Sequence, residues 1–117
     1  MTADELKRRT MQYALRCVKF AESLPKGPTG ETVARQLIRA GTSVAANYRA
    51  ACRGRSKAEF IAKLGIVEEE TDETVFWIEF AIEAKLSSAS LVEDLMAEGR
   101  EVLAIIVASR KTAKTNK

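Results

Sequence analysis

Apolar side chains recur at alternating steps of four and three along most of this 117-residue chain, and this spacing constrains its fold more than any other feature. In the first segment the apolar stripe consists of Leu6, Thr10, Tyr13, Cys17, Phe20 and Leu24. Side chains at that spacing lie on one side of an α-helix, where they face a neighbouring helix. The sequence therefore predicts a chain built from amphipathic helices.

Short segments rich in Pro, Gly, Arg or Ser separate four such helices. The breaks are PKGPTG (25–30), RGRS (53–56) and SSAS (87–90). We expect helices over about 4–24, 31–52, 57–86 and 91–110, followed by a flexible basic tail, 111–117. Four helical segments make the predicted fold class all-α. Because the loops between them are short, consecutive helices are expected to be antiparallel neighbours. The whole chain, 1–117, is expected to form a single up-down-up-down four-helix bundle.

Local signals refine two of these boundaries. Ser56 followed by Glu59, and Ser90 followed by Glu93, match the capping box that opens a helix. Gly54 fits the left-handed position that often ends one. We therefore expect the third helix to begin after Ser56 and the fourth after Ser90.

The composition argues against several classes of catalytic or metal site. The chain has no histidine, which removes the commonest general base and the commonest metal ligand. Ser-His-Asp and Cys-His catalysis are excluded with it. Cys17 and Cys52 fall in apolar helical stripes and are interpreted as small core residues rather than a redox pair. We predict no enzyme activity, no cofactor and no metal.

The hydropathy pattern indicates no membrane segment. No apolar run approaches the roughly 18 residues that a membrane span requires. The polar start of the chain, MTADELKRRT, lacks the apolar core of a signal peptide. We predict a cytoplasmic protein with no membrane partner.

Charge is segregated along the chain. Residues 1–63 carry 13 Lys/Arg against 5 Asp/Glu, whereas residues 64–101 carry 2 against 11. On a helical wheel at about 100° per residue, one narrow sector of the second helix holds four arginines. Further basic residues extend this sector past the turn. The predicted nucleic-acid-binding residues are Arg35, Arg39, Arg49, Arg53, Arg55, Lys57 and Lys63.

Guanidinium groups pair with phosphate oxygens in a bidentate fork, so an aligned row of them can follow a nucleic-acid backbone. Such binding depends on salt and discriminates little between sequences. Two alternatives remain open at this point. The arginines could pair with acids of the third helix across a subunit boundary, or they could form a solvated helix face.

The third helix combines acids with aromatic rings on a second face. Acids of the segment EEETDE (68–73) are expected to meet Arg or Lys from another helix or subunit. Phe76 and Phe80 point away from the apolar stripe of this helix, so they are either a subunit contact or covered by a loop or by the end of the fourth helix. The stripe consists of Phe60, Leu64, Val67, Thr71, Thr74, Ile78 and Ala81. The predicted oligomer interface consists of Glu69, Glu73, Phe76, Trp77 and Phe80.

The segment 35–79 carries the most specific motifs. They are Gln-Leu-x-Arg-Ala, Ser-Val-x-x-Asn, a basic turn and a Lys-x-x-Phe segment, formed here around Gln36, Leu37, Arg39, Ala40, Ser43, Val44, Asn47, Arg55, Ser56 and Phe60. This pattern resembles the family of four-helix-bundle proteins encoded in 23S rRNA intervening sequences. The sequence departs from many relatives at Tyr48–Ala51 and at Glu69–Glu73.

The resemblance implies a homopentameric, barrel-like ring of four-helix protomers. The chain is also similar to the accessory proteins of diversity-generating retroelements, whose basic rings bind nucleic acid and a reverse transcriptase. We therefore expect a non-catalytic, oligomeric accessory protein that binds the backbone of RNA or DNA. Its expected partners are further copies of itself, RNA or DNA, and a protein such as a reverse transcriptase. The alternative is a protein–protein adaptor or assembly scaffold with no nucleic-acid role.

Overall fold

The computed structural model describes residues 1–116, which form four α-helices. The helices are α1 (Ala3–Glu22), α2 (Pro28–Cys52), α3 (Lys57–Glu83) and α4 (Ala89–Thr115). Consecutive helices pack side by side, and α4 returns beside α1 with a looser contact. The result is the predicted up-down-up-down bundle, which measures 49 × 22 × 20 Å. In this part of the chain, no helix is both long enough and apolar enough to cross a bilayer.

Side-chain caps fix two of the four helix starts. The Glu5 amide donates to Thr2 Oγ1 at 3.1 Å, and the Thr2 amide donates to the Glu5 carboxylate at 3.0 Å, which makes a complete capping box. Ser56 caps α3 by accepting from the Glu59 amide at 3.1 Å. Pro28 opens α2 earlier than expected, because proline lacks the amide hydrogen that the first helical turn leaves unpaired.

Other boundary predictions were wrong. Ser88, not Ser90, precedes α4, so the predicted Ser90–Glu93 capping box does not form. Gly54 is not left-handed; among the described residues the positive φ angles belong to Gly27 (130°) and Lys85 (61°). α3 ends at Glu83 rather than at 86.

The end of the chain also differs from the prediction. α4 continues past Arg110 as far as Thr115, through residues that were expected to form a flexible tail. No glycine or proline follows Arg110 to stop the helix, and Ala113 is half-buried. Lys117, the last residue of the predicted tail, lies outside the described residues.

The interior is filled by the predicted stripes, in two clusters along the bundle. One cluster forms around Tyr13, Leu37, Ile78 and Leu95, and the other around Leu6, Val44, Leu64, Val102 and Ile106. Burying aliphatic and aromatic side chains in this way supplies the main driving force for folding.

A hydroxyl pair and a glycine lie in the interior at Tyr13, a member of the first cluster. Tyr13 and Thr74 share a buried hydrogen bond of 2.8 Å between α1 and α3. Gly99 of α4 lies directly against the Tyr13 hydroxyl, where a Cβ atom would collide with it. The glycine thus allows α4 to approach Tyr13 of α1 closely.

Candidate nucleic-acid interface

The outward side of α2 carries a row of four arginines, Arg35, Arg39, Arg49 and Arg53, called the arginine stripe below. All four are exposed, as are the small residues between them, Thr42 and Ala46. The opposite side of the same helix is buried and includes Val33, Leu37 and Val44. The helical spacing thus separates a core face from a cationic face along about 27 Å at 1.5 Å per residue.

Arg39 differs from the rest of the stripe because α3 holds it. Its guanidinium lies 2.6 Å from Glu73 Oε2 and 3.1 Å from Glu70 Oε2. The hydrogen bond to Glu73, followed by that to Glu70, raises the pKa of Arg39. The sequence analysis considered ion pairs between these arginines and acids of the third helix across a subunit boundary. At Arg39 such a pair forms within one chain. Arg39 is therefore less available to a phosphate than its neighbours.

The other predicted binding residues keep their charges free. Among residues 1–116, none of them forms an ion pair with a carboxylate; they are Arg35, Arg49, Arg53, Arg55, Lys57 and Lys63. Lys63 is half-buried, and the other five are exposed. Together they form a cationic strip that follows α2 and passes over the turn into α3.

An apolar groove, which the sequence analysis missed, lies beside the arginine stripe. It encloses about 430 Å³ between α1 and α2 and is bordered by Met11, Leu15, Val18, Arg49 and Arg53 among others. Met11 and Leu15 are 48% and 56% exposed. The sequence did contain a pattern that indicates this second apolar surface. Residues 11, 15 and 18 are apolar and repeat at steps of four and three, on the side of α1 away from its core stripe.

The aromatic residues of α3 form an exposed cluster on the other side of α2. The ring of Trp77 lies 4.9 Å from that of Phe76 and 5.7 Å from that of Phe80, in edge-to-face arrangements. Phe76 is 52% exposed and Phe80 is 39% exposed. Pro28 borders the cluster without closing it. Within residues 1–116, neither a loop nor the end of α4 covers these rings, so that alternative was wrong.

The two acids of the predicted interface lie in different environments. Glu69 is exposed and outside the ion pairs formed among residues 1–116. Glu73, in contrast, binds Arg39 and accepts a long hydrogen bond of 3.4 Å from Trp77 Nε1. The hydrogen bond from Arg39 lowers the pKa of Glu73. Glu73 therefore fastens α3 to α2 and is not open to an arginine of another copy.

The remaining polar groups have structural partners. Arg9 of α1 donates two bonds of 2.8 Å to Glu98 of α4, and these bonds lower the pKa of Glu98. Burial raises the pKa of the Cys17 thiol to about 12, so this sulfur stays protonated and unreactive. Across residues 1–116, no group of His, Cys, Asp or Glu side chains is arranged to hold a metal ion.

Comparison with known proteins gives a family and a fold. The profile of the family described as 23S rRNA-intervening sequence protein matches residues 4–108. Among solved structures, the chain is similar to a protein of unknown function from the S23 ribosomal protein family of Bacteroides thetaiotaomicron. The two are 28% identical, with a TM-score of 0.83, over 95% of this chain and 99% of that one. A search of curated proteins finds no match.

Proposed function

The chain belongs to the 23S rRNA-intervening sequence protein family, and we propose that it is a non-catalytic accessory protein that binds the backbone of RNA or DNA. One observation carries this proposal. Arg35, Arg49 and Arg53 stand exposed in a line on α2, with no carboxylate partner among residues 1–116. Leaving several cations unpaired side by side costs self-repulsion, which a polyanion would relieve.

The chemistry of the surface favours phosphate over bases. Guanidinium groups bind phosphate oxygens in a bidentate fork, and small residues between them leave room for a bulky ligand. No aromatic ring lies within the arginine stripe, so the stripe offers no surface on which bases could stack. We therefore expect binding that depends on salt and is nearly independent of sequence.

We further propose that the protein works as a cytoplasmic homo-oligomer, specifically a homopentameric ring. One exposed apolar surface away from Arg49 and Arg53 supports self-association: the aromatic cluster of Phe76, Trp77 and Phe80. Covering it with a second copy would remove apolar area from water. In a ring, each arginine stripe recurs by symmetry, so the summed field strengthens nucleic-acid binding.

The test is a gel shift at low salt with a labelled oligonucleotide and two matched triple variants. Arg35→Ala/Arg49→Ala/Arg53→Ala removes the free arginines of α2, and Arg16→Ala/Lys19→Ala/Lys26→Ala removes the same charge from exposed sites elsewhere. We expect the first variant to lose about two orders of magnitude in affinity and the second much less. Absence of wild-type binding, or equal losses in the two variants, would overturn the proposal.

The second candidate is a protein–protein adaptor with no nucleic-acid role, which the aromatic cluster favours. Exposed aromatic rings are typical anchors of protein interfaces. A pull-down from cell extract with wild type and with Phe76→Ala/Phe80→Ala distinguishes the two roles. A protein partner such as a reverse transcriptase that depends on these rings, recovered from nuclease-treated extract and without bound nucleic acid, would favour the adaptor.

A further inference from the structure

The antiparallel order of the helices gathers basic residues at one end of the bundle. The start of α1, the α2–α3 turn and the end of α4 all lie there. These segments (1–9, 49–63 and 105–116) hold eleven Lys/Arg against three Asp/Glu. The opposite end (17–31 and 79–94) holds three Lys/Arg against six Asp/Glu. The charge segregation along the sequence thus becomes a polarity along the molecule.

Part of this positive charge is already neutralised. Arg9 binds Glu98 and Glu101 at 2.8 and 2.9 Å, and Arg110 lies 3.6 Å from Glu68. Beyond the arginine stripe, the α2–α3 turn, the start of α3 and the end of α4 carry four exposed cations that form no ion pair among residues 1–116, and we call them the end cations: Arg55, Lys57, Lys111 and Lys114.

The register of α4 against α3 brings the end cations together. The guanidinium of Arg110 lies over Gly65, where a Cβ atom would come within 3.2 Å of its Nη2 atom. Because α3 and α4 are antiparallel, this contact places the last turn of α4 beside the first two turns of α3. Lys111 and Lys114 therefore extend the surface that Arg55 and Lys57 begin at the α2–α3 turn.

The resulting cationic surface has two arms. One arm is the arginine stripe, which runs about 27 Å along the bundle axis and ends at Arg53. The other is the row of end cations, which starts next to Arg53 and crosses an end about 20 Å wide. The two arms are roughly perpendicular, because one follows the helices and the other runs across their ends.

From this shape we propose that the nucleic-acid ligand is a single strand whose backbone follows both arms. The inference rests on the proposed nucleic-acid role and specifies the ligand. Duplex DNA stays straight over about 150 base pairs, and bending a short site sharply costs several kcal/mol, so a duplex meets one arm only. A flexible single strand can turn the corner at Arg53 and neutralise cations on both arms.

The experiment compares an unstructured oligouridylate with a blunt RNA duplex of the same length, by fluorescence anisotropy at low salt. Charge density alone favours the duplex, so tighter binding of the single strand would indicate the two-arm path. The test variant is Lys111→Glu/Lys114→Glu. The matched control is Lys19→Glu/Lys26→Glu, which makes the same charge change at exposed sites near the opposite end.

We expect wild type to bind the single strand several-fold more tightly than the duplex. The Lys111→Glu/Lys114→Glu variant should lose about tenfold for the single strand and much less for the duplex, and the control variant should change little. If its circular dichroism shows a shortened α4, Lys111→Gln/Lys114→Gln replaces it. Equal or tighter duplex binding, or a variant that matches the control, overturns the inference while the proposed function stands. Absence of any binding removes both.

Discussion

The guanidinium of Arg39 lies 2.6 Å from the Glu73 carboxylate, so one arginine of the exposed row on α2 is held by α3 of the same chain. Glu70 approaches the same guanidinium at 3.1 Å. Arg39 is thus held by carboxylates, whereas Arg35 on one side of it and Arg49 and Arg53 on the other form no ion pair among residues 1–116. A phosphate would meet two carboxylates at Arg39 and none at Arg49.

Arg39→Ala should therefore weaken nucleic-acid binding less than Arg49→Ala, although both remove one positive charge. We expect a loss of about threefold or less for Arg39→Ala and about tenfold for Arg49→Ala, because only the second removes a direct phosphate contact. Fluorescence anisotropy with one oligonucleotide at fixed salt measures both. A larger loss for Arg39→Ala would show that the ligand displaces Glu70 and Glu73.

The Arg9–Glu98 pair makes stability depend on pH in the acid range. Hydrogen bonds from Arg9 hold the pKa of Glu98 below its ordinary value of 4.5. A lowered carboxylate pKa adds stability that is present above the ordinary value and is lost as the pH falls through the folded value. Glu98→Gln should cost about 1 kcal/mol at neutral pH, and the difference should shrink near pH 3.

Urea unfolding of both proteins at the two pH values measures this effect. Glu93→Gln is the control, since Glu93 is exposed and outside the ion pairs formed among residues 1–116. A Glu98→Gln deficit that is the same at both pH values would contradict the electrostatic explanation.

Gly99→Ala should destabilise the bundle despite the better helix propensity of alanine. The new methyl group would collide with the Tyr13 hydroxyl and lie 3.2 Å from Val75 Cγ2. Overpacking of this kind costs about 1–3 kcal/mol, against a propensity gain of about 1 kcal/mol. Thermal unfolding should show a lower midpoint than wild type.

A double-mutant cycle identifies the colliding atom. Tyr13→Phe removes the hydroxyl, and Thr74 still donates to the Thr71 carbonyl at 2.5 Å, so the single change should cost only about 1 kcal/mol. In Tyr13→Phe/Gly99→Ala, the two costs should be less than additive. Strict additivity would place the strain elsewhere.

Phe76→Ala/Phe80→Ala should lower the molecular mass in solution without unfolding the protomer. Both rings are more than a third exposed, so they contribute little to the protomer core. Light scattering should report a multiple of 12.9 kDa for wild type and a smaller mass for the variant. Leu91→Ala, at a residue that is 80% exposed outside the cluster, is the control. A monomeric wild type would remove the oligomer proposal.

The sequence predicted the fold well because the four-and-three spacing specifies which side of each helix is buried. Leu6, Tyr13 and Cys17 are buried as the first stripe requires. Helix ends were harder to predict. Ser88 and Ser90 are equally suited to precede a helix. Leu91, the first large apolar residue after them, is exposed, so the burial of apolar side chains does not favour one helix start over the other. Nothing in RKTAKT stops a helix, and α4 continues through it.

The candidate site was predictable where it depends on one helix alone. The wheel positions of Arg35, Arg49 and Arg53 follow from α2 itself, and these side chains are exposed in the structure. The Arg39–Glu73 contact depends on how α2 and α3 are rotated and shifted against each other, which heptad spacing constrains only loosely. Predicting the groove beside Met11 and Leu15 would likewise have required the relative placement of α1 and α2.

The salt dependence of binding tests the central claim most directly. The association constant for an oligouridylate is measured between about 50 and 200 mM salt, for wild type and for Arg49→Ala/Arg53→Ala. We expect log K to fall linearly with log salt in wild type, and the slope to become shallower by about 1.4 in the variant, since each single-strand phosphate contact contributes about 0.7. Wild-type binding that does not respond to salt, or a variant with an unchanged slope, would show that these arginines do not hold the backbone.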